Sequence, residues 1–316
     1  MSEEMKATYF EEFGELNQLK TGSLKRPEPG EAEVLVRVKS AGVNPVDAAV
    51  VRGMLKDAIP AKFPAIPGWD MAGIVEETGH AAKRFNKGDE VYAYARRPTV
   101  QHGTFAEYVS IPESYLAHKP EKISMKAAGG IPLVGLTAYQ SLFNAGKLEK
   151  GQTVLILGAS GGVGTMAIQL AKTFDAKVIG VASEKNHAYM KELGADETID
   201  YSNNHVGKAV NKVAPDGVDL IFHCSRGDSL DQTKDTLKKG GHLVSITNSK
   251  PEVRDDIQFN YVFVEPNAVQ LKHLQELAND GKWEMPVSET FSLEEVSKAL
   301  QQVESLHTRG KLVITP

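Results

Sequence analysis

The chain has 316 residues, a net charge of −5 and 41% hydrophobic residues. These values are typical of a globular protein, and the length suggests two domains. Because no long basic or acidic block occurs, the sequence predicts binding neither to nucleic acid nor to an anionic membrane surface. The longest apolar runs are too short to span a bilayer, and the first ten residues lack the pattern of a secretory signal.

Cysteine and histidine usage does not indicate a metal site. Cys224 is the single cysteine, so an internal disulfide is impossible, and we expect a reducing compartment such as the cytoplasm. A structural zinc site usually takes three or four thiolates, or two thiolates with two histidines. The nine histidines show no HxxxH or HExxH spacing. The sequence therefore predicts no metal-binding residues.

The first 124 residues are predicted to be β-rich. Four segments of apolar or alternating residues indicate strands: 34–38, 71–75, 87–95 and 103–112. A short helix is expected near residues 46–52. Glycines and prolines separate these segments at regular intervals, which is typical of a compact barrel-like domain.

The pattern changes near residue 125 to an alternation of helices and strands. Residues 126–142 have helical spacing that is interrupted at Pro132. The predicted elements that follow are strand 153–157, helix 162–174, strand 176–181, helix 184–193, strand 218–223, helix 229–237 with a glycine stop at 240–241, and strand 242–246. This alternation predicts a parallel sheet with helices on both faces.

After residue 265 the alternation ends. Helices are predicted at 267–279 and 293–306, with extended segments at 285–291 and 311–315. Because this tail has no strand–helix–strand unit of its own, we expect it to fold back onto the β-rich domain.

The strongest motif is TVLILGASGGVG, residues 153–164. A buried strand enters a glycine-rich turn that opens a helix, which is the context required for binding the pyrophosphate of a dinucleotide. Glycines let the backbone approach the phosphates, and the helix N-terminus offers free N–H groups with a partial positive charge. The spacing is Ala159-x-Gly161-x-x-Gly164, so alanine holds the first glycine position.

The end of the next predicted strand indicates which dinucleotide binds. An acidic residue there would bind the ribose 2′-hydroxyl of NAD. The strand KVIGVA instead ends in Ala182, and Ser183, Glu184 and Lys185 follow. Ser183 can hydrogen-bond a 2′-phosphate and Lys185 can balance its charge, which favours NADP. A shift of one residue would place Glu184 against the ribose and favour NAD.

Several segments occur in an order and spacing that resemble a known family. They are AGVNPVDAAVVRG (41–53), PGWDMAG (67–73), FNKGDEVYA (85–93), GTFAEYV (103–109), PLVGLTAY (132–139), GASGGVG (158–164), GADETIDY (194–201), LKKGGHLVSI (237–246) and RGKLVI (309–314). Together they resemble the medium-chain dehydrogenase/reductase superfamily, and within it the zinc-independent quinone oxidoreductases and alkenal reductases. The resemblance covers nearly the whole chain.

The resemblance implies an α/β fold with two domains. A GroES-like β-barrel catalytic domain would comprise residues 1–124 and 266–316. A Rossmann domain for NADP, with a doubly wound parallel sheet, would comprise residues 125–265, and the active site would lie in the cleft between the domains. Many relatives are homodimers or homotetramers joined through the Rossmann sheet, and the expected contact here is segment 258–264.

Zinc-dependent members of the superfamily differ at three of these positions. They have a cysteine ligand at the position of Asn44, and a histidine ligand followed by a glutamate at the positions of Trp69 and Asp70. Asn44 and Trp69 cannot replace these ligands, so the resemblance also predicts no zinc. A site without a Lewis acid suits acceptors that take hydride readily, such as quinones and α,β-unsaturated carbonyls. Trp69, which alone would be read as a core residue beside a turn, is then expected in the wall of a metal-free substrate cleft with Asp70.

The resemblance also implies the other site residues. Asn44 would lie near the nicotinamide ribose or the substrate oxygen, and Thr137 would contact the nicotinamide carboxamide. The remaining cofactor positions are the pyrophosphate cradle Ser160, Gly161, Gly162 and Val163, the 2′-phosphate surroundings Ser183, Lys185 and Tyr201, and a basic residue near the phosphates, Lys311. The alternative for each is structural: Asn44 and Thr137 would satisfy backbone turns, and Tyr201 would be a buried ring.

The resulting hypothesis is a zinc-independent, NADPH-dependent oxidoreductase that reduces a quinone or an α,β-unsaturated carbonyl. One alternative is an enoyl-thioester reductase. The other is a catalytically silent NADPH-binding protein, because Ala48 and Ala49 stand where several relatives carry a tyrosine. No catalytic acid is assigned; solvent or Tyr94 would supply the proton, and Asp47 is expected to fix the local turn.

Overall fold

The structure is a computed structural model that describes residues 3–202, 205–305 and 308–316. The chain forms two compact units. Unit 1 contains the chain up to Leu133 and again from Glu265 to Pro316, and unit 2 is Val134–Val264. Unit 1 is β-rich and unit 2 contains a parallel sheet, which confirms the predicted fold class.

Unit 1 starts with an antiparallel pair of strands and continues into a larger sheet. Its elements up to Ala128 are β1 (Glu4–Tyr9), β2 (Lys20–Lys25), β3 (Glu33–Val43), α1 (Pro45–Val51), β4 (Ala61–Ile66), β5 (Asp70–Thr78), β6 (Glu90–Tyr94), β7 (Val100–His102), β8 (Tyr108–Pro112), β9 (Leu116–His118) and α2 (Met125–Ala128). β3 is the longest strand, and it pairs antiparallel with both β5 and β8. Most of its side chains are buried, so β3 lies at the centre of the unit.

The boundary between the units lies at Leu133 rather than at the predicted residue 124. The reason is that α2 packs on β3 and β5. Ser40 Oγ donates a hydrogen bond to Lys126 O at 2.8 Å and holds this helix against β3. Helix α3 (Pro132–Tyr139) then begins at a proline, a residue favoured in the first turn, and ends in a π-helical segment, Gln140–Ala145.

Unit 2 is built on six parallel strands in the order β12-β11-β10-β13-β14-β15. Its elements are β10 (Thr153–Leu157), α4 (Gly162–Thr173), β11 (Lys177–Ala182), α5 (His187–Glu192), β12 (Glu197–Asp200), α6 (Val206–Val213), β13 (Val218–His223), α7 (Ser229–Thr233), β14 (Leu237–Ser245) and β15 (Gln258–Tyr261). The last four residues of β10 are buried, as expected for a central parallel strand that is covered on both faces.

The prediction of a helix at 229–237 with a glycine stop was wrong in its second half. α7 ends at Thr233, and a short 3₁₀ turn leads to Leu237, where β14 already begins. Gly240 lies inside this strand with a φ of +76°. The pairing register of β14 with β13 shifts between Val218 and Leu220, so the glycines form a strand irregularity instead of ending a helix.

The C-terminal segment returns to unit 1, as expected from its lack of a partner. Its elements are α8 (Ala268–Asn279), β16 (Val287–Phe291), α9 (Val296–Glu304) and β17 (Lys311–Ile314). β17 pairs antiparallel with β3, with Leu312 opposite Val43, and so extends the large sheet in the order β16-β17-β3-β5-β6-β9. The predicted end of the last helix at residue 306 lies outside the described residues.

Candidate functional site

The glycine loop of unit 2 joins β10 to α4. Gly158 has a φ of +89°, a conformation that glycine adopts without a steric penalty. The backbone N–H groups of Gly158 and Ala159 both donate to Val181 O, each at 3.1 Å. The neighbouring strand β11 therefore holds the loop in place before any ligand binds.

Two glycines of this loop have different surroundings. A Cβ atom on Gly164 would lie 2.4 Å from Gly158 O, so this glycine allows α4 to pack closely on the loop. A Cβ atom on Gly161 would meet Gly158 O at 3.6 Å and, among the described residues, no other atom within 4 Å. Ser160, Gly161, Gly162 and Val163, at the end of the loop and the start of α4, are partly exposed. Since the first N–H groups of a helix have no intrahelical partner, this open segment fits a bound pyrophosphate.

Asn186 connects the loop to the end of β11. Its Nδ2 atom donates to Ser160 Oγ and to Ser183 Oγ, each at 3.1 Å. Ser160, which is predicted to bind the pyrophosphate, and Ser183, which is predicted to bind the 2′-phosphate, thus share one hydrogen-bond donor. Sequence analysis missed Asn186, because an asparagine three residues beyond a strand end carries no distinctive pattern. Lys185 is exposed beside it.

Tyr201 follows β12, next to the end of β11. Ala182 is paired with Asp200 in the parallel register, so Ser183 and Tyr201 come directly after neighbouring strand positions. Tyr201 is 51% exposed, which contradicts the buried-ring alternative.

Asp200 adds a negative charge that sequence analysis did not consider. Its carboxylate accepts hydrogen bonds from Ser202 Oγ at 2.7 Å and from Ser202 N at 3.0 Å. These hydrogen bonds lower the pKa of Asp200, so the group is ionised at neutral pH. A carboxylate at this strand end opposes a 2′-phosphate, whereas Lys185 favours one.

Thr137 lies in α3 and is 3% exposed. The π-helical segment that begins three residues later is a feature often found at functional sites. The predicted contact of Thr137 with the nicotinamide stays a prediction.

Four polar side chains meet in the interior of unit 1. These residues, here called the Asn44 cluster, are each at most 3% exposed: Asn44, Asp47, Asp70 and Lys311. Lys311 Nζ donates to Asn44 Oδ1 at 2.6 Å and to Val43 O at 2.8 Å. Asn44 Nδ2 donates to Asp70 Oδ2 at 2.9 Å. The cluster therefore joins the end of β3 to the first residues of β5 and β17.

The two carboxyl groups of the cluster also bind backbone at the start of helices. Asp70 Oδ1 accepts a hydrogen bond from Leu133 N at 2.6 Å, in the first turn of α3. Asp47 Oδ2 accepts one from Asn44 N at 2.8 Å, in the first turn of α1. Carboxylates are stabilised at helix N-termini by the free N–H groups there. Asp47 thus fixes the local turn as expected, and it does so as part of a buried cluster.

Burial controls the charges of the Asn44 cluster. It raises the pKa of Asp47 to about 8, and it raises the pKa of Asp70 to about 6. Lys311 and hydrogen bonds from Asn44 favour both carboxylates, but the charge of Asp70 raises the pKa of Asp47 further. Burial also lowers the pKa of Lys311, and the two carboxyl groups oppose that shift. An ionised Asp70, a charged Lys311 and a protonated Asp47 give a neutral cluster, which is the cheapest charge state to bury.

The position of Lys311 disagrees with its predicted role at the cofactor phosphates. Its ammonium group is buried in unit 1 and is engaged by Asn44 and Val43. Asn44 itself is 1% exposed, and its side-chain oxygen and one N–H serve the cluster. Lys311 and Asn44 are 267 positions apart, so only the pairing of β17 with β3 reveals their contact.

Trp69 lies beside a small cavity in unit 1. It is 3% exposed, and its ring lies edge-on to Tyr94 with centroids 6.2 Å apart. The cavity has a volume of about 10 Å³, space for about one water molecule, and it is also lined by Ile66, Val100 and His102. Tyr94 is 1% exposed and burial raises its pKa, so its hydroxyl group keeps its proton and is shielded from solvent.

Comparisons with known proteins identify the family. Residues 30–121 match the alcohol dehydrogenase GroES-like domain, and residues 193–314 match the zinc-binding dehydrogenase family. The chain is 34% identical to the NADPH-dependent alkenal/one oxidoreductase, chloroplastic, of Arabidopsis thaliana, over 99% of this chain and 80% of that protein. The chain belongs to the medium-chain dehydrogenase/reductase superfamily. Within the superfamily it falls in the branch of quinone oxidoreductases and alkenal reductases, as the motifs predicted.

Solved structures of medium-chain dehydrogenases/reductases have the same fold. The quinone oxidoreductase from Coxiella burnetii is 32% identical and superimposes with a TM-score of 0.88, covering 99% of this chain and all of that one. A structure described as an NAD-dependent alcohol dehydrogenase is 28% identical, with a TM-score of 0.91 and coverage of 99% and 100%. This medium-chain dehydrogenase/reductase is therefore an oxidoreductase.

Two further features are absent from the part of the chain that the structure describes. Within residues 3–202, 205–305 and 308–316, no group of three or more His, Cys, Asp or Glu side chains is arranged to hold a metal ion. In the same residues, no helix is long and apolar enough to cross a membrane.

Proposed function

We propose that this protein transfers hydride from NADPH to a quinone or an α,β-unsaturated carbonyl without zinc. The names of the relatives support this substrate class. The observation that carries the proposal is the ammonium group of Lys311, 2.6 Å from Asn44 Oδ1. Asn44 stands where zinc-dependent relatives have a cysteine ligand, and its side-chain oxygen accepts a hydrogen bond from the Lys311 ammonium group where those relatives have a metal-binding thiolate.

Each unit supplies a separate part of the proposed chemistry. In unit 2, the start of α4 binds the pyrophosphate through backbone N–H groups, and Ser183 and Lys185 bind the 2′-phosphate. NADPH, when bound, supplies the hydride. In unit 1, Trp69 shields the acceptor from water, which favours transfer to an acceptor whose charge spreads onto a distant oxygen.

The proton that completes the reduction comes from solvent in this proposal. A quinone takes one hydride and one proton to give a hydroquinone, and an enone takes the hydride at its β-carbon and a proton at its α-carbon. Tyr94 is a poor donor, since it is buried and its pKa is raised by burial. Ala48 and Ala49 offer no proton at the position where several relatives have a tyrosine.

The same proposal includes a homodimer formed through the edge of the unit 2 sheet, with a homotetramer as the alternative. β15 is one of the two edge strands; Tyr261 at its end is 45% exposed, and Phe263 two residues beyond it is 37% exposed. An exposed edge with aromatic side chains is a template for pairing with a second chain. Sedimentation of the wild type as a dimer, and of Tyr261→Lys as a monomer, is expected. A monomeric wild type would contradict this part.

We also propose a reducing compartment, the cytoplasm, which is supported by the single cysteine. Separation of a cell extract into cytoplasmic and organelle fractions would test this. Recovery of the protein in the organelle fraction would contradict it.

One assay tests the reaction. Oxidation of NADPH is followed at 340 nm with 1,4-benzoquinone, 9,10-phenanthrenequinone, an alkenal and a crotonyl thioester, before and after treatment with a chelator. We expect turnover of a quinone or the alkenal that the chelator does not change. Turnover of the thioester alone would favour an enoyl-thioester reductase. Binding of NADPH with no turnover of any acceptor would favour a silent NADPH-binding protein.

A further inference from the structure

The side-chain amide of Asn44 has an unambiguous orientation. On one side it meets Lys311, whose ammonium group can only donate hydrogen bonds. On the other side it meets Asp70 Oδ2, which accepts. The amide oxygen must therefore face Lys311 and the amide nitrogen must face Asp70. A turn of the amide by 180° would place donor against donor and acceptor against acceptor.

The backbone of Asn44 is held as well. Its N–H donates to Asp47 Oδ2 at 2.8 Å, and it begins the first turn of α1. The backbone N–H and the side-chain amide of Asn44 are therefore both hydrogen-bonded to side chains that are themselves buried.

The cluster leaves part of the amide available. The second N–H of Asn44 faces Gly42 O at 3.4 Å, which is long for a hydrogen bond, and Oδ1 retains a second lone pair.

We propose that Lys311 and Asp70 are positioning residues that hold the amide of Asn44 in the single orientation in which it acts on the ligand. This inference rests on the proposed function, and it takes from the family resemblance that Asn44 contacts the nicotinamide ribose or the acceptor oxygen. Lys311 and Asp70 act through Asn44 and do not themselves touch the reacting atoms. Fixing one orientation in advance lowers the barrier, because the reacting groups need no reorganisation.

The chain contains a matched control for the purely structural effect of a buried lysine. Lys119 is 8% exposed, and its Nζ atom donates to Pro120 O and Ile123 O, both at 2.8 Å. It also lies 3.2 Å from Glu90 Oε2. Like Lys311, whose Nζ atom lies 3.9 Å from Asp70 Oδ2, it belongs to unit 1 and combines a backbone carbonyl contact with a carboxylate, but none of the contacts of Lys119 involves Asn44.

The experiment compares Lys311→Met, Lys119→Met and Asp70→Asn in the full-length chain. The substitution at Asp70 keeps the shape of the side chain but offers one acceptor where two are needed, for Leu133 N and Asn44 Nδ2. Each variant is measured for unfolding by urea, for kcat and KM with 9,10-phenanthrenequinone, and for hydrogen exchange of the Asn44 side-chain NH₂ group by NMR. Asn44→Ser identifies that NMR signal.

We expect Lys311→Met and Asp70→Asn to lower kcat by about tenfold to a hundredfold with a smaller change in KM. Exchange of the Asn44 NH₂ should become faster in both. Lys119→Met should lose similar stability but keep kcat within about twofold of the wild type.

Equal kcat values for Lys311→Met and Lys119→Met in an active enzyme would overturn the inference. Unchanged NH₂ exchange in Asp70→Asn would overturn it even if Lys311→Met does not fold. A wild type that turns over no acceptor would refute the proposed function, and the exchange measurement would then still decide whether Lys311 and Asp70 fix the amide.

Discussion

The glycine loop of unit 2 and the Asn44 cluster of unit 1 are opposite kinds of polar site. The loop is made of backbone, is partly exposed, and has N–H groups at the start of α4 that a ligand can bind. The cluster is made of side chains, is buried, and is held together by hydrogen bonds among its own members. The loop can thus bind a charged ligand. The cluster instead buries the charges of its own side chains and holds the side-chain amide of Asn44 in place.

The largest effect on the unfolding free energy is expected from Gly164→Ala, and Gly161→Ala provides the comparison. Gly164→Ala places a Cβ atom 2.4 Å from Gly158 O, a backbone atom that cannot move freely, and should cost about 3 kcal/mol of unfolding free energy. Gly161→Ala should cost less than about 1 kcal/mol, because its Cβ has space. Chemical denaturation of both variants measures the difference.

Gly161→Ala also separates ligand binding from folding. If the loop holds the pyrophosphate, the added methyl group should weaken NADPH binding about tenfold in a fluorescence titration, with little loss of stability. Unchanged affinity in this variant would mean that the loop is a packing feature only, and the contrast with the Asn44 cluster would disappear.

Per pH unit, a smaller effect is expected from pH on the Asn44 cluster. The folded-state pKa of Asp47, about 8, lies above its ordinary value of 3.8, so the folded chain binds a proton that the unfolded chain releases. The unfolding free energy should therefore fall as pH rises from about 4 to about 8, by at most about 1.4 kcal/mol per pH unit for this group. Asp70 contributes in the same direction between about pH 4 and about pH 6.

Asp47→Asn tests this dependence, because asparagine resembles the protonated acid. Urea unfolding of the wild type and the variant between pH 5 and pH 8 should show a shallower fall for the variant. Parallel curves would mean that Asp47 is ionised in the folded chain, and the cluster would then carry an uncompensated negative charge.

The smallest effect is expected at the exposed end of the cofactor site. Lys185→Ala should weaken NADPH binding about tenfold and leave NADH binding nearly unchanged. The reason is that the positive charge of Lys185 attracts a 2′-phosphate, which the carboxylate of Asp200 repels. The exposed Lys212 on α6 provides the control for a general loss of positive charge. Tighter binding of NADH than NADPH by the wild type would show that a carboxylate, that of Asp200 or Glu184, decides the specificity.

Features that depend on neighbouring residues were predictable from the sequence. The buried strand, glycine turn and helix of residues 153–173 follow from composition and spacing within one short segment. Tyr201 and Lys185 could be placed near one strand end by motif. The bond from Asn186 to Ser160 could not be predicted, because it depends on how the turn after β11 packs against the loop.

The sequence by itself determined the order of the motifs, the glycine loop and the residue types at Asn44 and Trp69, from which the absence of zinc is predicted. Only the tertiary structure decided what surrounds Asn44. Its partners come from β5 and β17, 26 and 267 positions away, and they meet because β3 pairs with both strands. Burial then sets the charges, since the cost of ionising a group depends on the atoms around it rather than on its neighbours in the chain.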